Sequence, residues 1–219
     1  MIIPWNYFCH YGDTTLLEEH YCGMKHWVEY LNTRTDDKGI VVREEPNGWC
    51  LGEWSTPHNV IEIPASLVNT TYFYHVTCIM ANIANILNKK DDENELRILA
   101  RTIKRNFNIA FYNEVTHHYW EGKQGADVFA LAFGLVPESD RKKVFAALLE
   151  HLEKINYHFD TGILATPLLL KVLTENGRAD LAYRVMNIWL IKKIIRFGKR
   201  GMVMEMMKVV ATVIRCLAV

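Results

Sequence analysis

The stretch "TGILATPLLLKVLTENGRADLAYRV", residues 161–185, sets two apolar helical runs on either side of Asn176-Gly177. Asn-Gly is turn chemistry, and so short a connection predicts two antiparallel helices rather than one long helix. The same design extends upstream. In "TTLLEEHYCGMKHWVEYLNTR" the residues Leu17, Tyr21, Met24, Val28 and Leu31 fall on one helical face. Asp13 is placed to cap that helix, and Thr15 with Glu18 fits a capping box. A second helix is predicted from about Ser66 to Leu87, with Tyr72, Val76, Ile79, Ile83 and Ile86 in register. A third follows "NKKDDEN", with Leu96, Leu99, Ile103 and Phe107 as its stripe. "ADVFALAFG" reads as a short helix ended by Gly134. Pro137 then opens another, marked by Val144, Leu148, Leu152 and Ile155. The fold class is all-α, built of αα-hairpins without any repeat of sequence.

With 219 residues, half of them hydrophobic, the chain has material for one substantial core. Its formal net charge is zero, and no basic stretch interleaved with aromatics suggests a nucleic-acid groove. The opening "MIIPWNYFCHYGD" lacks a charged leader, and Pro4 and Asn6 interrupt its apolar run. It therefore reads neither as a signal peptide nor as a membrane span, and starts mid-pattern as if cut from something longer. Expressed as given, the chain is expected in the cytoplasm. Five cysteines without CxxC spacing (Cys9, Cys22, Cys50, Cys78, Cys216) are expected to be scattered buried thiols in a reducing compartment. The sequon at Asn69 falls inside a predicted helix, where attachment of a glycan is not expected.

Chemistry is expected on two loops. "TRTDDKGIVVREEPNGWCLGEWSTPHNVIEIP", residues 33–64, is too long and too rich in Gly, Pro and Trp for a plain connector. "YNEVTHHYWEGKQGAD", residues 112–127, has the same aromatic and polar character. No nucleophile elbow, P-loop, HExxH or dinucleotide fingerprint occurs anywhere. His117-His118 reads as loop polarity rather than a metal site, since neither zinc spacing nor a cysteine pair accompanies it, and no metal or cofactor is expected. Trp49 and Trp54 stand beside Glu44, Glu45 and Glu53, a combination suited to sugar: indole faces stack on a pyranose while carboxylates accept its hydroxyls. The alternative is that both indoles anchor a long loop against helix ends.

The segments "IIPWNYFCHYGDTTLLEEHYCGMKHWVEYL", "LGEWSTP", "FALAFGLVPE" and "TGILATPLLLKVLTENGRADLAYRV" resemble, in order, the catalytic domain of bacterial α-L-rhamnosidases. The resemblance runs from Ile2 to about Asn187. It implies a six-hairpin glycosidase fold, an (α/α)₆ barrel that is incomplete here, and hydrolysis of terminal α-L-rhamnose with inversion. Inversion requires two carboxyl groups about 6.5–9.5 Å apart, one protonating the leaving oxygen and one activating water. The family's acid lies in an Asp-Cys-Pro…Arg-Glu stretch and its base in a Thr-Ile-Trp-Glu-like motif; neither is found in this sequence. What the resemblance leaves are substrate-binding positions and a rhamnose-containing carbohydrate as ligand. "LGEWSTP" resembles a Gly-Asp-Trp-x-x-Pro loop, which makes Trp54 the stacking residue and puts Glu53 where the family has Asp. "GKQGADVFAL" resembles a segment usually read Gln-Thr-Ala-Asn, so Gln124 is retained while Gly125 and Asp127 depart. Thr161 and Gly162 are retained. Trp120 is the further indole of the second loop.

Residues 188–219 differ in kind from residues 1–187. They carry seven basic residues, one acid and half of the eight methionines, whereas the preceding part is acidic. Read with each codon's last base joined to the next two, Gly codons overlap Val203 and Glu205, an Asp codon Met207 and a Glu codon Lys208. Codon choice also allows Thr-Ile-Trp-Glu over residues 196–199. The tail is thus expected to be an out-of-frame translation, against the alternative of a basic amphipathic segment that binds a membrane or a partner. Membrane binding is disfavoured by Gly198, Gly201 and three charges in the last stretch. As a whole the chain is expected to be an inactive rhamnosidase fragment whose uncovered helix faces favour self-association. A non-catalytic carbohydrate-binding module and an all-helical scaffold are the other classes.

Overall fold

A computed structural model describes residues 1–42, 52–54, 56 and 63–197, with the backbone alone from residue 189. Glu44, Glu45 and Trp49, and the tail from residue 198, lie outside the described residues. The chain divides into two compact units: Met1–Gly52 with Ile63–Tyr112, and Glu53–Glu62 with Asn113–Val219.

In the first unit, α1 (Ile2–Tyr11) leads through α2 (Thr15–Glu19) and α3 (Tyr21–Thr33) to two long helices, α4 (Ala65–Ile86) and α5 (Lys90–Phe111). The stripe expected as one helix is interrupted at His20, which takes a non-helical conformation between α2 and α3. The stripe itself is buried as predicted: Leu17, Tyr21, Met24 and Val28 pack with Val76, Ile79 and Ile83 of α4 and with Leu96 and Ile103 of α5. Capping differs in detail. Asp13 Oδ1 accepts both the N–H and the hydroxyl of Thr15, at 2.8 and 2.7 Å, whereas Glu18 is reached by Thr14. The polar edge of α3 is tied to α5 by Asp92, which accepts the Tyr21 hydroxyl and the Lys25 ammonium, each at 2.6 Å.

α1 has no buried residue, and Ile3 and Tyr11 stand open to solvent. Cys9 and Cys22 are exposed rather than buried, because they lie off the apolar stripes; Cys78 of α4 is half-buried. Asn69 lies within α4, as expected for a sequon in a helix.

After α5 comes a hairpin of two-residue strands, β1 (Tyr112–Asn113) paired with β2 (His118–Tyr119). Asn113 closes its turn by accepting the Val115 and Thr116 N–H groups on its side chain. α6 (Gln124–Ala132) follows and is buried almost throughout, then a 3₁₀ turn (Glu138–Asp140) and α7 (Arg141–Lys154). Pro137 precedes the 3₁₀ turn instead of opening α7 directly. α8 (Ala165–Glu175) packs on α6 and on α9 (Ala179–Phe197). The turn between α8 and α9 is the Asn176-Gly177 pair, with Gly177 at φ 76°, a left-handed conformation that glycine adopts without strain. α9 continues past residue 187, the expected limit of the regular part. Among the described residues no helix is long and apolar enough to cross a membrane. The described architecture is all-α.

Candidate functional site

Glu53, Trp54, Trp120, Gln124, Asp127, Thr161 and Gly162 all belong to the second unit. The first contact that orders them is the one between residues 53–54 and the start of α8. A helix begins with N–H groups that have no partner in the preceding turn, and its dipole favours a negative charge there. No α8 side chain caps these groups. Residues 53 and 54 do so from far away in sequence. Glu53 Oε1 accepts the Ala165 N–H at 3.1 Å, and the Trp54 carbonyl accepts the Ile163 N–H at 2.9 Å.

Glu53 is 1% exposed. Burial pushes its carboxyl above the usual range, opposed by the N–H groups of Ala165, Gly162 and Leu164 that face it. Glu53 Oε2 makes no hydrogen bond among the described residues. Gly162 makes the approach possible. A Cβ at that position would collide with the Trp54 carbonyl and lie 2.7 Å from Glu53 Oε1. The Trp54 residue is 43% exposed, so its backbone is fixed while its indole remains available.

A second anchor works on the same segment. Gln124, fully buried at the first turn of α6, accepts the Asp160 N–H on its Oε1 at 3.3 Å. Its Nε2 has no hydrogen-bond partner among the described residues. Asp160 in turn pairs with His151 of α7 at 3.0 Å. The Thr161 and Thr166 hydroxyls meet at 2.8 Å across the start of α8. Residues 160–166 are thereby held from α6, from α7 and from the Glu53–Trp54 strand.

Trp120 lies at the end of the hairpin, 38% exposed and at φ 49°, with His117 at φ 56°. Both are conformations that non-glycine residues seldom take. Between them, the buried Asp127 carboxylate accepts the Tyr119 N–H and meets His118 Nδ1, both at 2.7 Å. Sequence reasoning read His117-His118 as loop polarity and Asp127 only as a departure from a pattern. The available signal was an acid in the first turn of a helix, nine residues after a histidine. Among the described residues no cluster of three His, Cys, Asp or Glu is arranged to hold a metal.

Glu53 and Gln124, expected to touch sugar, are both buried, and each gives a polar atom to backbone. Trp54 and Trp120, expected likewise, are the exposed aromatic residues of the unit's loops. The described residues form helical hairpins with two open indoles on their connecting loops. A profile described as the bacterial alpha-L-rhamnosidase 6 hairpin glycosidase domain matches residues 1–189. The chain belongs to that family. An alpha-L-rhamnosidase of Formosa agariphila is 30% identical over 190 residues, covering 84% of this chain and 20% of the relative. An alpha-L-rhamnosidase structure from Dictyoglumus thermophilum superposes with a TM-score of 0.75 at 34% identity, covering 84% of this chain and 21% of that one. The Streptomyces avermitilis alpha-L-rhamnosidase, solved in complex with L-rhamnose, superposes at 0.72 with 30% identity, over 83% of this chain and 17% of its own. The chain thus spans about a fifth of the length of the curated relatives it matches.

Replacing Gly162 by alanine should force the Glu53–Trp54 strand off α8. The expected result is a loss of about 1–3 kcal/mol in denaturant unfolding, typical of overpacking, with Trp54 emission moved toward the red. Unchanged stability and emission would show that the strand does not depend on this approach.

Proposed function

We propose that the chain is part of the catalytic domain of an inverting α-L-rhamnosidase and holds rhamnose-containing carbohydrate without cleaving it on its own. One observation carries the reading: Trp54 keeps an exposed indole on a backbone clamped to the start of α8. A flat apolar face that does not need to be ordered on binding is what pyranose stacking requires. That the Streptomyces avermitilis relative was solved with L-rhamnose supports the choice of sugar. Trp120 supplies a second face. Glu53 and Gln124 serve the site from behind, holding residues 160–165 in place. Inactivity follows from the motifs: neither the family's Asp-Cys-Pro…Arg-Glu acid nor its Thr-Ile-Trp-Glu base occurs in the sequence. Each such group contributes about 10²–10⁴-fold in rate.

Two further readings accompany this one. The open apolar residues of α1, Ile3 and Tyr11 among them, support self-association with a second copy of the chain. Residues 188–219 are read as an out-of-frame translation, supported by a family match that stops at residue 189 and by the change of composition there.

L-rhamnose at millimolar concentration is expected to quench tryptophan emission, and Trp54→Ala to weaken that response by about tenfold, the loss of roughly one stacking contact. Nitrophenol release from the rhamnoside should not exceed the buffer rate. An absent sugar response refutes binding, and turnover that depends on Trp54 refutes inactivity. Sedimentation velocity should show a dimer that Ile3→Asp dissociates; a monomer at all concentrations removes the self-association reading. The gene's shifted frame should encode Thr-Ile-Trp-Glu over codons 196–199, and any other words there dispose of the frameshift.

A further inference from the structure

The Asp127–His118 pair has no part in the reading above, and its geometry is unusual for a surface loop. Asp127 is fully buried, yet it takes both the Tyr119 N–H and the His118 ring on its two oxygens. The loop it grips turns through left-handed backbone at His117 and again at Trp120, immediately on either side of the gripped residues. Such conformations are unfavourable for residues other than glycine and persist where the surroundings hold them. Asp127, on the first turn of α6, holds the two residues between them. The His118 ring in turn packs along Gly122, where its Cδ2 and Cγ would lie 3.5 Å from an added Cβ. Trp120 is thus bracketed by residues fixed to one buried carboxylate.

We propose that Asp127, acting through His118 and the Tyr119 N–H, is the positioning residue that presents the Trp120 indole, and that the charge on His118 sets how firmly it does so. The inference rests on Trp120 as a sugar contact for its functional meaning, but not for its mechanics. The resemblance puts asparagine at position 127 in related enzymes. Asparagine would keep a hydrogen bond to Tyr119 but supply no charge, so this chain has exchanged a neutral tether for an ionic one.

The charge balance around the pair favours imidazolium. Asp127 is its nearest counter-charge and holds the His118 pKa above the usual value, against the opposing effect of burial. From α7, Glu150 adds to the effect and Lys154 opposes it; His151, paired with Asp160, also faces Asp127. Burial drives the Asp127 carboxyl upward, while the His118 ring and the Tyr119 N–H pull it back. The direction that governs the pair is the rise at His118, because a carboxylate sealed from water has no other full positive charge in contact. A raised histidine contributes its stabilisation fully below its ordinary value of 6.5 and loses it as pH climbs through the folded value. The clamp is therefore tight at mildly acidic pH and slackens on the alkaline side.

The test is NMR of the full chain, following the His118 ring and the Trp120 indole N–H from pH 5 to 9. Phe substitution of Trp120 identifies the indole signal. The expected result is a His118 midpoint above 6.5, with the Trp120 signal moving at the same midpoint. In Asp127→Asn the midpoint should fall to 6.5 or below and the Trp120 signal should stop following pH. Should that variant fail to fold, His118→Gln, which leaves Asp127 on Tyr119, should also abolish the pH response at Trp120. A Trp120 signal indifferent to pH in the unaltered chain, or an unchanged response in either variant, overturns the proposal. Coupled titration in a chain that ignores L-rhamnose would uphold the clamp while removing the sugar reading.

Discussion

A carboxylate sealed inside a protein stays there only if something repays its lost hydration, and the start of a helix is one of the few backbone features that does. Glu53 uses the N–H groups at the head of α8 in this way, with the neighbouring Trp54 carbonyl taking the one between. The contact is mutual. α8 lacks a side-chain cap of its own, and the 53–54 strand lacks any regular structure of its own. Each supplies what the other is missing, and Gly162 is the vacancy that lets them meet. Around this joint the rest of the second unit arranges itself. Gln124 and the His151–Asp160 pair hold the segment just before α8, and α8 then packs on α6 and α9.

What could be read from the sequence and what could not follows the range of the interactions. The stripe Leu17–Tyr21–Met24–Val28 and its counterparts on α4 and α5 were legible because helical burial repeats within a few residues. The Asn176-Gly177 turn was legible for the same reason. The break at His20 was not, since its neighbours on both sides have good helical pattern and only the packing of α2 and α3 separates them. Thr14 rather than Thr15 reaching Glu18 is a shift of one residue at a helix end, where local signals are weakest. Exposed Cys9 and Cys22 show that residue type alone is a poor guide to burial off the apolar stripe.

For the candidate site, the sequence offered residue types but not their burial. Trp54 and Trp120 declared themselves as indoles on long loops, and they are exposed. Glu53, named as a carboxylate beside Trp54, and Gln124, named from the family resemblance, are buried, each bonded to backbone well removed in sequence. No local pattern encodes a bond between residue 53 and residue 165. The Glu53 side chain, expected to contact a hydroxyl, reaches the head of α8 instead. Likewise, Asp127 read as a departure from the family pattern and His118 as loop polarity, and the hairpin brings them within 2.7 Å.

The partition of the chain has a consequence for how it is made. Residues 53–62 are synthesised in the midst of the first unit but belong to the second. At about 5–20 residues per second, the ribosome needs roughly 6–20 s to travel from Glu53 to Ala165. Once Trp54 has left the exit tunnel, it waits for a comparable time with no α8 to receive it. The nascent segment then carries an uncovered indole, and chaperone occupancy during translation should centre on it and end when α8 emerges.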